Sequence, residues 1–273
     1  MTTGTGSAPV AASKQEARAA DRRMRWTGRI AAWVLLLGVW QLLSSYVVES
    51  FILPSPAIIF DKMVEIAQSG LLLKNFGASL NKLVQSFAIF FALGAAIGTL
   101  MAVSRWWEDF LRDSVSLAIS LPGLVYILIL LLIFGSRGIA PIAAVVAAVA
   151  PYVTLQFWEG VKGVSTDLLD MGTAFEVKRW HVIRHIIIPA LIPFTFTAVT
   201  HGFSLGWRLV VLTELFGGSA GIGFQMRTEF GRFSVRGVIA WALFFFVFSL
   251  LLDRMIFAPL SKRALRWREG ETA

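Results

Sequence analysis

Three ionisable residues, His201, Arg208 and Glu214, lie in one apolar stretch, residues 190–215, and are the leading candidates for chemistry. A charge at the centre of a bilayer costs about 2.5–3.5 kcal/mol on insertion scales, so such residues normally face protein or water. Arg208 could bind an anionic substrate, because a guanidinium donates two parallel hydrogen bonds to an oxyanion. It could equally snorkel or pair with an acid on another helix. Arg208 and Glu214 are six positions apart, about 120° off one helical face, so no simple intrahelical pair is expected. His201 is predicted to be a packed polar residue rather than a proton relay.

The sequence carries no residue set that is typical of an enzyme. The glycine-rich stretch GGSAGIG at 217–223 lacks the Gly-Lys-Ser/Thr end of a Walker A motif, so ATP hydrolysis is not expected in this chain. There are no cysteines and only three scattered histidines, which argues against a thiolate or histidine metal site. No paired carboxylates or nucleophile–base set occurs. The prediction is therefore a chain without catalytic, cofactor-binding or metal-binding residues.

The elements that carry these residues are apolar and long. Hydrophobic residues make up 56% of the 273 residues and charged residues only 15%, far from soluble averages. Runs of about twenty apolar residues match the thickness of a bilayer. We therefore predict an all-α integral membrane protein with about six transmembrane helices. The spans are predicted at residues 30–48, 83–103, 117–134, 139–157, 190–215 and 238–260, between a partly disordered tail at 1–29 and a basic tail at 261–273.

The positive charges predict the orientation of the chain. Sixteen Lys and Arg residues fall in the two tails and the loops at 104–114 and 158–187, against seven in the loops on the opposite side. The positive-inside rule then places both termini and the central loop in the cytoplasm. Since this distribution accounts for the net charge of +8, no nucleic-acid partner is needed.

The central loop, residues 158–189, is amphipathic although it lies between two apolar spans. Leu168, Met171 and Phe175 recur at spacings of three and four, which is one face of a short helix. Pro189 interrupts a simple helical continuation, because it lacks a backbone N–H. Two short helices at the membrane surface are therefore predicted. The loop could be no more than a connector.

This loop resembles the one before the fifth core span in permease subunits of bacterial ABC importers. That loop reads Glu-Ala-Ala, three residues, Gly, nine residues, Ile, one residue, Leu, Pro. Counting back from Pro189 puts Asp170, Met171 and Gly172 at the Glu-Ala-Ala positions and Glu176 at the Gly position. Met171 is larger than the usual Ala, and Glu176 replaces a residue that would allow positive φ between the two helices.

Two further motifs narrow the resemblance. The order of a span, Leu-Pro-Ser-Pro at 53–56, an amphipathic helix and a second span is similar to the nitrate, sulfonate, taurine and bicarbonate branch of these permeases. Glu214 followed by Gly221-Ile222-Gly223 matches the family's Glu and Gly-x-Gly loop.

The resemblance implies a bacterial inner-membrane permease for a small anionic solute such as nitrate, a sulfonate or taurine. Two copies would form the path, separate subunits would bind and hydrolyse ATP, and an extracytoplasmic solute-binding protein would deliver the solute. Arg208 and Glu214 are the candidates to line the path. The residues expected to couple to the ATPase are Leu168, Leu169, Asp170, Met171, Gly172, Ala174, Phe175 and Glu176.

A secondary transporter or channel is the alternative interpretation. Its acidic and basic residues would then carry coupling ions. The lack of an inverted-repeat signal and the small number of acids within the spans argue against it.

Overall fold

The computed structural model of the chain describes residues 24, 27–29, 31–47, 49–135, 139–257 and 259, and every regular element in them is helical. In chain order the helices are α1 (Thr27–Val47), α2 (Pro56–Gln68), α3 (Leu71–Val103), α4 (Arg105–Ser120), α5 (Gly123–Phe134), α6 (Ala140–Lys162), α7 (Thr166–Ala174), α8 (Arg179–Val182), α9 (Ile188–Gly217), α10 (Ile222–Gly231) and α11 (Val235–Leu251). Short π-helical segments end α1 at Leu43–Val47, join α8 to α9 at Ile183–Ile187 and follow α11 at Leu252–Phe257. The all-α prediction is confirmed. Residues 1–23, 25 and 26 of the predicted tail at 1–29 and the whole predicted tail at 261–273 lie outside the described residues.

The number of spans differs from the sequence prediction. Four stretches of the described chain are long and apolar enough to cross a membrane: Thr27–Val47, Leu71–Val103, Ala140–Lys162 and Arg179–Gly231. The pair α4–α5 makes a fifth if it is counted as one bent span, whereas α11 is a shorter apolar helix of 17 residues. The described residues therefore contain four or five candidate spans where the sequence predicted about six.

The predicted third span, residues 117–134, is not one helix. Helix α4 ends at Ser120, α5 begins at Gly123, and the two axes are bent by 96°. Leu121 is extended because the residue before a proline avoids the helical region, and Pro122 followed by glycine gives two poor helix formers in succession. Pro151 and Pro193, in contrast, lie within continuous helices, α6 and α9. The sequence alone did not distinguish these two outcomes.

The chain divides into two compact units, residues 1–62 and 63–273, with the boundary inside α2. In the first unit the segment that follows α1 is bonded back onto this helix. The Trp40 indole N–H donates to the Pro54 carbonyl at 3.2 Å, and the Ser44 hydroxyl donates to the Leu53 carbonyl at 2.8 Å. These bonds fix the Leu-Pro-Ser-Pro segment, and Ser55 then precedes the first turn of α2 as predicted.

Helices α3, α6 and α9 form the core of the second unit and approach closely at glycines. A Cβ atom on Gly98 of α3 would collide with the backbone of Thr154 in α6. A Cβ on Gly206 of α9 would lie 3.3 Å from the Phe90 ring of α3, and Gly202 faces the same ring at 3.1 Å. Small residues at these positions therefore let the helices pack closely. Because α9 is clamped along its glycine face, its opposite face is left exposed.

Candidate functional site

The central loop forms the predicted short helix α7, whereas α8 continues through the π-helical segment into α9 without the interruption expected at Pro189. The turn between α7 and α8 has a defined geometry. The Glu176 N–H donates to the Thr173 carbonyl at 3.1 Å, and the Val177 N–H donates to the Gly172 carbonyl at 2.9 Å. This pair of bonds is the Schellman motif, which requires a left-handed residue just after the helix end. Glu176 fills that place with φ of +51°. Glutamate thus adopts the geometry for which the resembled family uses glycine.

Helix α7 presents three large apolar side chains to solvent. Leu168 is 44% exposed, Met171 51% and Phe175 75%. Asp170, Ala174 and Glu176 are exposed as well, whereas Leu169 is half-buried and Gly172 is buried. The predicted coupling residues therefore share one small element, and the apolar ones among them that lack cover are Leu168, Met171 and Phe175.

The inward face of α7 rests on α8. A Cβ atom on Gly172 would lie 3.2 Å from Cγ2 of Val182, closer than most side-chain contacts, so a larger residue would push the two helices apart. The close approach of α8 thus explains why this position of the Glu-Ala-Ala motif carries a small residue. The π-helical segment Ile183–Ile187 leads directly from α8 into α9.

The end of α6 that leads into the loop is tied to α4. The Lys162 ammonium lies 2.6 Å from the Glu108 carboxylate, which is only 12% exposed, and the Arg112 guanidinium lies over the Trp158 ring at 5.6 Å from its centroid. Sequence reasoning missed these contacts, because residues 104–114 were taken only as a loop. The cause is the helix break at Pro122, which lets α4 turn back towards α6.

Glu214, the second predicted path residue, is fully buried and bonded to α3. Its carboxylate oxygens accept from the Ser79 hydroxyl at 2.9 and 2.8 Å, from the Lys82 ammonium at 2.8 Å and from the Gly223 N–H at 3.1 Å. A buried carboxylate is tolerated when it is paired and its lone pairs are satisfied in this way. The partner of Glu214 is thus Lys82, and not Arg208.

The same face of α3 holds the glycine-rich loop. The Gly221 N–H donates to the Asn75 side-chain oxygen at 3.1 Å, and the Ile222 N–H donates to the Ser79 hydroxyl at 3.0 Å. Asn75, Ser79 and Lys82 are spaced by four and three residues, which is one helical face. That spacing was a readable signal, but it was missed because the span was predicted to begin at Leu83, whereas α3 begins at Leu71.

Arg208 and His201 lie on the exposed side of α9. They are seven residues apart, so they share one face and are separated by about 10 Å along the helix axis. Neither forms an ion pair with another residue in the described part of the chain. The expectation that His201 is packed is wrong, because Gly202 and Gly206 turn the neighbouring face, and not this one, towards α3.

A cleft of about 130 Å³ opens beside His201, between α6 and α9. Its walls are Tyr152, Val153, Gln156, Ala198, His201 and Gly202. The lining residues lie near the middle of both helices. The structure therefore separates the ionisable residues of α9 into two groups, with Glu214 locked into the bundle and His201 and Arg208 left at an open surface.

Comparison with known proteins agrees with this architecture. Residues 88–258 match the family described as binding-protein-dependent transport system inner membrane component. The putative aliphatic sulfonates transport permease protein SsuC of Bacillus subtilis is 25% identical over 251 residues, which cover 91% of this chain and 90% of the relative. The nitrate import permease protein NrtB of a Synechocystis strain is 26% identical over 236 residues, covering 82% and 84%.

A solved structure shows the same fold. A crystallised amino acid ABC transporter superimposes with a TM-score of 0.62 at 18% identity, over 74% of this chain and 98% of that chain. The family match spans more than half of the sequence and includes α6, the central loop and α9. The chain therefore belongs to the family of binding-protein-dependent transport system inner membrane components, the permease subunits of ABC importers.

Proposed function

We propose that this permease imports a small anionic solute and is driven by separate ATPase subunits that dock on α7. The observation that supports the docking is the uncovered apolar face of Leu168, Met171 and Phe175. Exposed apolar patches mark protein or membrane interaction sites, and we take the patch formed by α7 and its C-cap residue Phe175 as the ATPase contact. Leu169, Asp170, Gly172, Ala174 and Glu176 complete the proposed contact, because they shape or flank the same helix.

The proposed orientation puts α7 and both termini in the cytoplasm, where ATP is available. It is supported by the excess of Lys and Arg in the tails and in the central loop. ATP would be bound by the ATPase subunits, and we propose no ATP site in this chain. A solute-binding protein would act at the opposite end of the bundle, near Gly221. A second copy of this chain would complete the path.

The proposed solute class follows from relatives and from one charge. The relatives described above are named for aliphatic sulfonates and for nitrate, both of which are small oxyanions. Arg208 lies exposed on a spanning helix, and a guanidinium there is stable only if it faces water, an acid or an anion. We therefore assign Arg208 to the path. That Glu214 lines the path stays a prediction, because its carboxylate would first have to leave Ser79 and Lys82.

The proposed mechanism couples ATPase closure to the spans through rigid contacts. Movement of α7 would be passed on by the Gly172–Val182 contact to α8 and from there into α9. The Lys162–Glu108 ion pair would hold the neighbouring end of α6 to α4 during this movement. Since α9 packs on α3 through its glycine face, we expect these two helices to move together. Their movement would open the exposed face of α9 to one side of the membrane and then to the other.

The experiment is co-purification of the ATPase with the Phe175→Asp variant. The variant places a charge in the proposed contact, so it should lose the ATPase and ATP-driven uptake. Its amount in the membrane and its unfolding temperature should stay as in the wild-type protein. Phe230→Asp is the matched control, because Phe230 is equally exposed, at 72% against 75%, but lies on α10 at the other end of the bundle. Phe230→Asp should keep the ATPase.

Two results would contradict this assignment. One is normal association of the Phe175→Asp chain with the ATPase together with normal uptake. The other is uptake by wild-type protein in vesicles that contain neither ATPase nor ATP, which would favour a secondary transporter or channel instead.

A further inference from the structure

The cleft between α6 and α9 contains polar side chains that the fold does not use. The side chains of Gln156 and His201 make no hydrogen bond to any other residue in the described ranges, although both line the cleft. The Tyr152 hydroxyl donates to the Ile119 carbonyl at 3.3 Å, and the Tyr152 ring forms a wall of the cleft. Close packing explains Val153, Ala198 and Gly202, but it does not explain two free polar groups.

Within the described part of the chain, Gln156 and His201 lack hydrogen-bond partners at a depth where a membrane offers none. Both helices are long and apolar enough to cross a membrane, and the cleft lies near their middle. Polar groups that face lipid tails lose their hydrogen bonds to water at a cost of several kcal/mol each, so they normally face protein or a water-filled cavity. An open cleft that keeps an amide and an imidazole unpaired therefore indicates a place for water or for a polar ligand.

Charges of both signs lie near the cleft. Arg208 lies two turns from His201 on the same face of α9, so the helical rise separates them by about 10 Å. The described helices α6 and α9 contain two carboxylates. Glu214 is buried against α3 and neutralised by Lys82. Glu159 lies on the face of α6 that bears Tyr152, one turn beyond Gln156 in the direction of α7.

The size of the cleft limits the ligand further. Its volume of about 130 Å³ is well below the roughly 300–1,000 Å³ of pockets that hold drug-sized molecules. A planar or tetrahedral oxyanion of a few atoms fits such a space. Its oxygens can accept hydrogen bonds from the Gln156 amide and from an imidazole N–H.

We propose that this cleft is a subsite for a small oxyanion, in which Gln156 and His201 donate to the anion and Arg208 attracts it from the glycine-loop end of the path. The subsite rests on the proposed import function, because only a transported anion would reach the middle of the membrane. It adds two residues and a location that the sequence analysis did not assign.

The test uses the absence of native cysteines. Gln156→Cys is introduced into the full chain, purified with its ATPase and reconstituted. It is then reacted with two thiosulfonate reagents of similar size, one ending in a sulfonate and one in a trimethylammonium group. Each rate is divided by the rate of the same reagent with a free thiol. Leu132→Cys is the control, because Leu132 is 87% exposed on the apolar helix α5, where we expect it to face lipid.

We expect Gln156→Cys to react faster with the sulfonate reagent than with the cation, because the proposed subsite binds anions and Arg208 attracts them against the opposing charge of Glu159. Adding Arg208→Gln should remove most of the preference for the anion. Methanesulfonate and nitrate should each slow the reaction, and His201→Leu should weaken this protection. Leu132→Cys should react with neither reagent.

Equal normalised rates for the two reagents, or no reaction at Gln156→Cys, would overturn the subsite. Protection by neither anion would overturn it too, as would equal reaction at the Leu132→Cys control. These failures are distinct from failure of the import function, which is read from ATPase association with the Phe175→Asp variant. If that association is lost as expected while the cleft stays unreactive, the permease function stands and the subsite does not.

Discussion

The left-handed glutamate at the end of α7 leads to a quantitative prediction. A non-glycine L-residue pays about 1–2 kcal/mol for left-handed helical geometry, and Glu176 holds φ of +51°. Glycine avoids this cost, but it gives back about 0.4–1 kcal/mol because the unfolded chain becomes more flexible. Glu176→Gly should therefore stabilise the closed turn by about 0.5–1 kcal/mol, which corresponds to a two- to fivefold change in its opening equilibrium.

Hydrogen exchange at a single amide measures this effect directly. The Val177 N–H is protected by its bond to the Gly172 carbonyl, at 2.9 Å, and this bond exists only while the turn is closed. Exchange at Val177 should slow by about two- to fivefold in Glu176→Gly. Glu176→Ala is the control, because it removes the carboxylate but keeps the Cβ atom that disfavours the left-handed geometry.

The two variants separate backbone geometry from side-chain charge. If Glu176→Gly and Glu176→Ala change the exchange rate equally, the carboxylate and not the backbone angle determines the stability of the turn. The argument from φ would then be refuted. Faster exchange in the glycine variant would refute it as well, since the flexibility cost would then outweigh the relief of the strained angle.

Two further predictions concern the bundle. Gly98→Ala should destabilise the protein by about 1–3 kcal/mol, because the new Cβ would collide with the Thr154 backbone. Gly77→Ala on the same helix should be neutral or stabilising by up to about 1 kcal/mol, because no atom lies within 4 Å of its new Cβ. Thermal unfolding in detergent compares the two variants, and an equal loss of stability in both would contradict the packing argument. Lys82→Met should cost about 3–5 kcal/mol because it leaves the Glu214 carboxylate buried without its cation. The double variant Lys82→Met/Glu214→Gln should recover much of that loss in the same assay, and additive losses would show that the pair is not coupled.

The sequence predicted most accurately those features that depend on local pattern. The apolar runs predicted helical spans, and the spacing of Leu168, Met171 and Phe175 predicted the short helix α7. The helix break was not predicted, because a proline inside an apolar run can either break or merely bend a helix. The following glycine distinguishes Pro122 from Pro151 and Pro193 in the sequence, but that signal was not used. The cleft was not predicted either. Tyr152 and Gln156 are unremarkable polar residues in an apolar helix until α9 brings His201 beside them.

The helix α9 shows why residue type alone could not assign the ionisable groups of this span. His201, Arg208 and Glu214 lie within fourteen residues of each other in the sequence, but Glu214 takes a different face of the helix from His201 and Arg208. The face that bears Gly202 and Gly206 brings α9 against α3, and Glu214 extends this contact to Ser79 and Lys82. A carboxylate held in that way adds rigidity to the contact. It also neutralises the Lys82 ammonium, which could otherwise compete with Arg208 for an anion. Only the opposite face, with His201 and Arg208, keeps polar groups available. The buried pair is thus expected to fix the position of α9, so that the exposed pair can meet a solute at a defined place.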